Sequence, residues 1–276
     1  MKKFLQFILL IPVCATTVRA QVDSTAQKLY KVHLAYELPG AVACIGLSTL
    51  GFRNLERLSS MTAADVNKLN INNINSFDRS SATLDPSKFA DARTRSQTLL
   101  NISLFTPAIF ALDKKIRKDW LDLLTLYLVT HAVDNAVYFA GTYPFRRARP
   151  LTYNPRVPME EKTGNGKSNS FFSGHTSFAA TATFFAARIY TDYHHITGWK
   201  RVLFYAAAAV PPALVGYYRV ESGSHFKTDV ITGFLVGASS GIFVPALHKF
   251  KKKHDNLSFA PFYTPGSSGL TMTVGL

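Results

Sequence analysis

Four apolar runs follow one another in the second half of this 276-residue chain, and they constrain its fold more than any other feature. The runs are Leu123–Tyr143, Thr176–Ala187, Val202–Tyr218 and Val230–Leu247. Runs of this length and composition predict helices. We place these helices as neighbours that run up and down beside one another. The sequence therefore predicts an all-α, membrane-embedded, up-and-down helical bundle.

Three short polar segments fall at the same end of this bundle. Arg149-Pro150 follows the first helix, Ser173-Gly174-His175 begins the second, Arg219 ends the third, and His225 begins the fourth with Asp229 four residues later. The topology alone thus brings two histidines, one carboxylate and several arginines toward one site.

These residue types suit in-line attack on a phosphate monoester. Arginine forks hold phosphate oxygens bidentately. One imidazole can attack phosphorus while a second protonates the leaving oxygen. On a helix, His225 and Asp229 lie one turn apart on one face, so the carboxylate can accept from one ring nitrogen and fix the tautomer. Ser173 and Gly174, with the free N–H groups of a helix start, can form an anion site.

Each segment alone also has an ordinary structural explanation. Ser173 is a common N-cap residue, and a His/Asp pair is unremarkable at a helix start. The basic stretch from Arg146 to Arg149 can be a solvated or lipid-facing charge run. The occurrence of all three segments, in this order and at this end, favours a phosphate site.

In these segments the chain resembles the type-2 phosphatidic acid phosphatase family, which shares its fold with bacterial class A acid phosphatases and vanadium haloperoxidases. The family signature is Lys, six spacers, Arg-Pro; then Pro-Ser-Gly-His; then Ser-Arg, five spacers, His, three spacers, Asp. Here the segments read Arg149-Pro150, Phe172-Ser173-Gly174-His175, and Tyr218-Arg219 with His225 and Asp229 at the family spacings. The family lysine falls on Thr142. The resemblance spans roughly Leu123 to Leu247.

The resemblance implies a role for each matched residue. His225 would be the nucleophile that forms a phosphohistidine, Asp229 would orient it, and His175 would be the general acid. The phosphate would be bound by Arg149, Arg219, Ser173 and Gly174. No metal and no cofactor are implied.

Thr142 stands where the family has lysine, and it offers a hydrogen bond but no charge. Arg146 or Arg147 lies close enough along the chain to bring a cation to the same pocket. We therefore expect one of these two arginines to join the phosphate-binding set.

The rest of the chain divides by composition. Residues 1–20 read as a signal peptide, with Lys2-Lys3 before the apolar run Phe4–Val13 and cleavage after Ala20. Residues 21–97 read as an N-terminal helical extension and 98–254 as the phosphatase core. Residues 255–276 form a tail with a β-hairpin pattern around Pro265–Gly269. A partly ordered terminus is the alternative for this tail.

The net charge of +14 indicates membrane topology rather than nucleic-acid binding, because the basic residues flank apolar runs. Basic clusters at Lys114–Lys118, Lys200-Arg201 and Lys249–Lys253 lie at the end of the bundle opposite the motifs. By the positive-inside rule that end is cytoplasmic, so the site would face the periplasm of a bacterial cell envelope. A membrane crossing by Leu34–Phe52 after a cleaved signal would reverse this orientation. A soluble periplasmic protein is a further alternative.

The predicted function is metal-independent hydrolysis of a phosphate monoester or pyrophosphate through a phosphohistidine. The expected partners are a phosphorylated lipid substrate and the membrane. A soluble periplasmic broad-specificity acid phosphatase is one alternative, and a vanadium haloperoxidase is a weaker one. A non-catalytic phospholipid-binding membrane protein is favoured by Thr142. It is disfavoured by the presence of His175, His225 and Asp229, because a binder needs cations rather than a nucleophile.

Overall fold

The computed structural model describes residues 28–249, 257–264 and 267–274, and its main body is a helical bundle. The α-helices are α1 Leu34–Leu58, α2 Ala63–Asn67, α3 Ser76–Arg79, α4 Phe89–Leu104, α5 Trp120–Thr142, α6 Pro150–Tyr153, α7 Met159–Lys162, α8 Gly174–Tyr193, α9 Gly198–Glu221 and α10 Lys227–His248. Short 3₁₀ helices cover Ile71–Asn73, Ser80–Thr83, Pro86–Lys88, Thr106–Leu112 and Ile116–Asp119. The predicted all-α class is confirmed.

Helix α8 is the centre of the bundle. Most of its residues are buried, and it packs against α4, α5, α9 and α10. Small residues such as Ala180 and Thr181 occupy much of its surface, which lets four neighbours approach it closely. Ser173 caps its N-terminus by accepting a hydrogen bond from the backbone N–H of Thr176.

Glycines on α10 bring that helix against the backbone of α8. A Cβ atom on Gly233 would lie 2.4 Å from the carbonyl oxygen of Ser173, and one on Gly237 would lie 2.0 Å from that of Ser177. One turn further, a Cβ on Gly241 would lie 2.6 Å from the oxygen of Thr181. Such small-residue stripes are a common means of close helix contact in membranes. The seam fixes the start of α8 beside the start of α10.

Among the residues that the structure describes, three helices are long and apolar enough to cross a membrane: Leu34–Leu58, Ile116–Thr142 and Lys227–His248. Large apolar side chains are exposed on the outer faces of the bundle, among them Leu47, Leu203, Leu235 and Phe243. A soluble bundle turns such side chains inward, whereas lipid accommodates them. These features support a membrane protein.

The N-terminal extension contains the 25-residue helix α1 and several short helices, and it joins the core without a break. Thr62 and Asp65 form a capping box at α2, and Asn75 caps α3 by accepting from the N–H of Asp78. Helix α4 runs through the expected boundary at 97/98 and packs on both α8 and α9. The structure thus places that boundary inside a helix of the bundle.

The C-terminal tail contains two antiparallel strands, β1 Leu257–Thr264 and β2 Ser267–Val274, with Leu257 opposite Val274. The predicted hairpin pattern is confirmed as strand pairing. The predicted signal peptide, residues 1–20, lies outside the described residues.

Candidate active site

A pocket of about 300 Å³ opens at the end of the bundle where the three motifs meet. Among the predicted site residues, Arg149, Gly174, His175, Arg219 and His225 line it. The other lining residues are Phe52, Gln97, Leu100, Tyr138, Asn169 and Phe178. The predicted convergence at one end of the bundle is therefore observed.

His225 lies in the loop before α10, not at the start of the helix as expected. Its side chain is buried, and Nδ1 lies 2.6 Å from the carbonyl oxygen of Ser170. Because a carbonyl oxygen only accepts, Nδ1 carries the proton and Nε2 is the basic nitrogen. Burial lowers the pKa of His225 well below its ordinary value, and the charges of Arg219 and Arg149 lower it further. The imidazole is therefore neutral, with one nitrogen free to attack.

Asp229 does not contact the His225 ring, which corrects the expected pairing. The carboxylate accepts from the Ser170 hydroxyl at 2.6 Å and from the backbone N–H of Phe226 at 2.9 Å. The i, i+4 argument fails because His225 precedes the helix, so the two side chains do not share a helical face. Asp229 instead holds Ser170, whose carbonyl fixes the tautomer of His225.

Arg147 is the second partner of Asp229, and it also pairs with Asp78. Its Nη1 donates to Asp229, and its Nη2 lies 2.8 Å from Oδ2 of Asp78. The guanidinium stacks over the Phe226 ring, 4.1 Å from the centroid. Asp78 is fully buried and accepts two further bonds from Thr228. Hydrogen bonds from Thr228 and Arg147 outweigh the effect of burial and lower the pKa of Asp78.

Neither candidate for the missing cation lines the pocket. Arg147 is held by two carboxylates, and Arg146 is exposed and donates only to the backbone oxygen of Thr142, at 3.3 Å. Proximity along the chain suggested that one of them replaces the family lysine. The structure brings neither side chain into the pocket, and Arg147 is engaged by Asp78 and Asp229. Thr142 is itself fully buried, and its hydroxyl donates to the Tyr138 carbonyl within α5.

The two arginines that do line the pocket have few partners. Arg149 Nε donates to Oδ1 of Asn169 at 3.1 Å. Arg219 is buried, and its Nε finds no acceptor among the residues that the structure describes. Within that same part of the chain, neither guanidinium has a carboxylate at ion-pair distance. Burial lowers the pKa of Arg149. Two cations thus face a pocket without a counter-ion.

The second histidine faces the same pocket from the first turn of α8. His175 Nε2 lies 3.2 Å from Oε1 of Gln97 on α4. Beside it, a Cβ on Gly174 would lie 3.0 Å from the Tyr138 ring, so glycine lets this turn approach α5 closely. Ser173 is fully buried and caps the helix, while its hydroxyl also lies 2.9 Å from that of Thr176. It contributes to the site through the helix start and does not line the pocket.

Four residues at or behind the pocket carry no sequence signature: Ser170, Asn169, Gln97 and Asp78. The spacing of Asn75 and Asp78 could have indicated a helix cap, but no pattern links Asp78 to the first turn of α10, 150 positions away. Within the described residues, no group of three or more His, Cys, Asp or Glu side chains is placed to hold a metal ion.

Residues 122–253, just under half of the chain, match the model of the PAP2 superfamily. This match, on an all-helical fold, supports a phosphatase. The family resemblance of the motifs is thereby confirmed.

A solved structure is also similar to this chain. It is described as the first transmembrane PAP2 type phosphatidylglycerolphosphate phosphatase from Bacillus subtilis. The two chains are 20% identical, with a TM-score of 0.42 and coverage of 77% of this chain and 96% of that one. Among curated proteins, none matches the chain.

Proposed function

We propose that this protein hydrolyses a phosphate monoester or pyrophosphate on a membrane lipid, without a metal ion, through a phosphohistidine on His225. The state of His225 carries the proposal. Its Nδ1–H is donated to the Ser170 carbonyl, which leaves the Nε2 lone pair available beside two arginines. A residue that only binds phosphate has no need of a neutral imidazole, because a protonated ring binds an anion better.

The chemistry divides into two displacements. Nε2 of His225 attacks phosphorus and the bond to the leaving oxygen breaks. His175, which enters this step protonated because the bound phosphate dianion offsets the charges of Arg149 and Arg219, gives that oxygen a proton. Water then attacks the phosphohistidine and loses a proton to His175, which releases phosphate and restores both rings. Arg149 and Arg219 stabilise the charge on the non-bridging oxygens in both transition states.

The walls of the pocket support a lipid substrate. Phe52, Leu100 and Phe178 line one side, beside the polar residues of the motifs. Phe52 belongs to α1, a candidate membrane span with many exposed apolar side chains. A substrate with an acyl or prenyl chain and a phosphate head fits this division between apolar and cationic surface. A broad-specificity acid phosphatase needs no such wall.

The charge layout supports a site that faces the periplasm. Basic residues at Lys114–Lys118 and Lys200-Arg201 lie at the end of the bundle opposite the pocket, where the positive-inside rule places the cytoplasm. A reporter inserted within residues 152–169 should then read as exported. A cytoplasmic reading there would reverse this orientation.

Phosphate release by the full-length protein in detergent tests the function. The panel comprises phosphatidic acid, phosphatidylglycerol phosphate, undecaprenyl pyrophosphate and soluble phosphate esters, each with EDTA present. We expect release from a lipid substrate in EDTA, and its loss in His225→Ala. Labelled phosphate should be trapped on the wild-type protein after a quench that avoids acid.

His194→Ala is the matched control, because His194 pairs with Asp113 at the far end of α8. It should keep wild-type turnover. A His225→Ala variant that folds and still turns over would exclude the nucleophile. Release from soluble esters alone would favour the acid phosphatase. Binding of the lipids without release would favour a non-catalytic protein, and loss of activity in EDTA would exclude metal independence.

A further inference from the structure

The proposed phosphate site lacks one cation that its family motif supplies. Thr142 takes the position of the lysine, and its hydroxyl is used within its own helix. Arg146 and Arg147 point elsewhere. A transferring phosphoryl group spreads charge over three equatorial oxygens, and all of them gain from a positive partner. Another residue of this chain could provide the third positive charge for the phosphate oxygens.

Helix α4 carries a candidate on the face that meets the pocket. Gln97 and Leu100 of α4 line the pocket, and Gln97 contacts His175. Arg93 precedes them by four and seven residues, so the three share one face of the helix. Arg93 therefore lies one turn from Gln97, toward the N-terminus of α4.

The start of α4 is fixed beside the catalytic loop. A Cβ on Gly223 would lie 2.8 Å from the ring of Phe89, the first residue of α4. Gly223 lies between Arg219 and His225 in the sequence. Arg93 thus lies on α4 between two contacts with the site, that of Phe89 with Gly223 and that of Gln97 with His175. This places it beside the pocket, one helical turn from a residue that lines it.

The charge of Arg93 acts on the basic residues around the pocket. Burial lowers the pKa of Lys167, and the charges of Arg149 and Arg93 lower it further. Arg93 also acts in the same direction on the pKa of Arg149, after the larger effect of burial. The Arg93 side chain is exposed. It is therefore a cation near the arginines of the site, with access to a ligand from outside.

We propose that Arg93 binds the substrate phosphate and replaces, from a different helix, the lysine that is absent at position 142. This inference rests on the proposed phosphatase function. It assigns a substrate contact to the N-terminal extension, which precedes the family motifs. The contact is with the oxygens of the phosphate, or of the second phosphate in a pyrophosphate, on the side that faces the pocket mouth.

The test compares Arg93→Gln with Arg95→Gln in the full-length protein. Arg95 is the matched control, because it is exposed on the same helix and pairs with Asp91 at 2.8 Å. A charged hydrogen bond lost from the transition state predicts that kcat/KM falls about 10- to 100-fold in Arg93→Gln. Arg95→Gln should match the wild type, and Arg93→Lys should keep most of the activity. Adding Thr142→Lys to Arg93→Gln should restore part of the loss.

Binding of inorganic phosphate, measured by calorimetry, gives a readout that does not need turnover. Arg93→Gln should weaken it, and Arg95→Gln should not. Wild-type kcat/KM and wild-type phosphate affinity in Arg93→Gln would overturn the proposal. A loss in Lys167→Gln without one in Arg93→Gln would overturn it in favour of Lys167. A wild-type protein that binds phosphate through Arg93 but never releases it from a lipid would refute the phosphatase function and leave this contact standing.

Discussion

The cations at the two ends of α8 differ in whether they are paired with a carboxylate. At the C-terminal end, the buried carboxylate of Asp192 accepts from Tyr30 at 2.8 Å and from Arg188 and Arg201 at 2.7 Å each. Lys249 lies 3.0 Å from the same group. At the N-terminal end, roughly 27 Å away at 1.5 Å per residue, Arg149 and Arg219 have no carboxylate at ion-pair distance among the described residues.

This difference in pairing indicates a structural role for the charges at the C-terminal end of α8 and a ligand-binding role for those at its N-terminal end. Three cations and the Tyr30 hydroxyl share the Asp192 carboxylate, and together they hold the chain before α1, the ends of α8 and α10, and the start of α9. Two cations without a counter-ion repel each other and cost folding free energy. In the proposed function, a bound phosphate dianion would offset that cost. Carboxylates are present near the site, but Asp78 and Asp229 are both occupied by Arg147. The uncompensated charge is therefore directed at the pocket.

Neutralising an arginine at the pocket should give the largest effect. Arg219→Gln is expected to lower kcat/KM about 100- to 1,000-fold, the cost of one lost charge-stabilising donor. Its thermal stability should be unchanged or higher, because the repulsion with Arg149 is relieved. Arg201→Gln, at the other end of the bundle, should do the reverse and lower the unfolding temperature without changing kcat/KM. Equal losses of activity in both variants would remove the distinction between the ends.

Removing the carboxylate of Asp192, which several cations share, should give the second-largest effect. Asp192→Asn leaves several buried or half-buried cations without their partner and is expected to cost about 3 kcal/mol of stability. Folded Asp192→Asn protein should keep its kcat. Asp91→Asn is the control, since its pair with Arg95 is exposed on both sides and should contribute under about 1 kcal/mol. Unfolding in detergent measures the loss of stability in both variants. A stable but inactive Asp192→Asn would show that the far end acts on the chemistry.

The smallest effect is a shift in titration. An ordinary histidine has a pKa of about 6.5, and His225 should titrate well below it because burial, Arg219 and Arg149 all disfavour the charged ring. Its Nε2 should therefore stay unprotonated as the pH falls below 6.5, and the nucleophile should be lost only when the pH passes through the lowered pKa of His225. Over the same range the unfolded state binds the proton first, so this residue lowers stability as the pH falls.

Nitrogen NMR on histidine-labelled protein, with His225→Ala for assignment, measures the protonation of each ring nitrogen. The expected spectrum shows a proton on Nδ1 and none on Nε2 at pH 6.5. A midpoint near 6.5, or a proton on Nε2, would contradict the assigned tautomer.

Much of this site could be predicted from short patterns. The ends of the apolar runs placed Arg149, His175, Arg219 and His225 together, because helices that run up and down bring these ends to the same side of the bundle. The hydrogen-bond partners could not be predicted in the same way. The spacing of His225 and Asp229 is that of one helical turn, yet the helix begins at Lys227, and two residues of displacement were enough to break the pairing.

The contribution of the N-terminal extension to the site was harder to predict. Asp78, Arg93 and Gln97 belong to a polar stretch whose periodicity predicted surface helices and no role in the site. Their contacts join segments about 80 to 150 residues apart, as between Gln97 and His175 or Asp78 and Thr228. Such contacts depend on how α3 and α4 dock onto the bundle. A single sequence contains no local signal for that docking.

Gly233 shows how closely the chemistry depends on one missing methyl group. It lies one turn after Asp229, and its α-carbon faces the carbonyl of Ser173, the residue that starts the helix of His175. A side chain at Gly233 would push the start of α8 away from α10. The separation of His175 and His225, one at the start of α8 and the other just before α10, therefore depends on a buried residue that does not line the pocket.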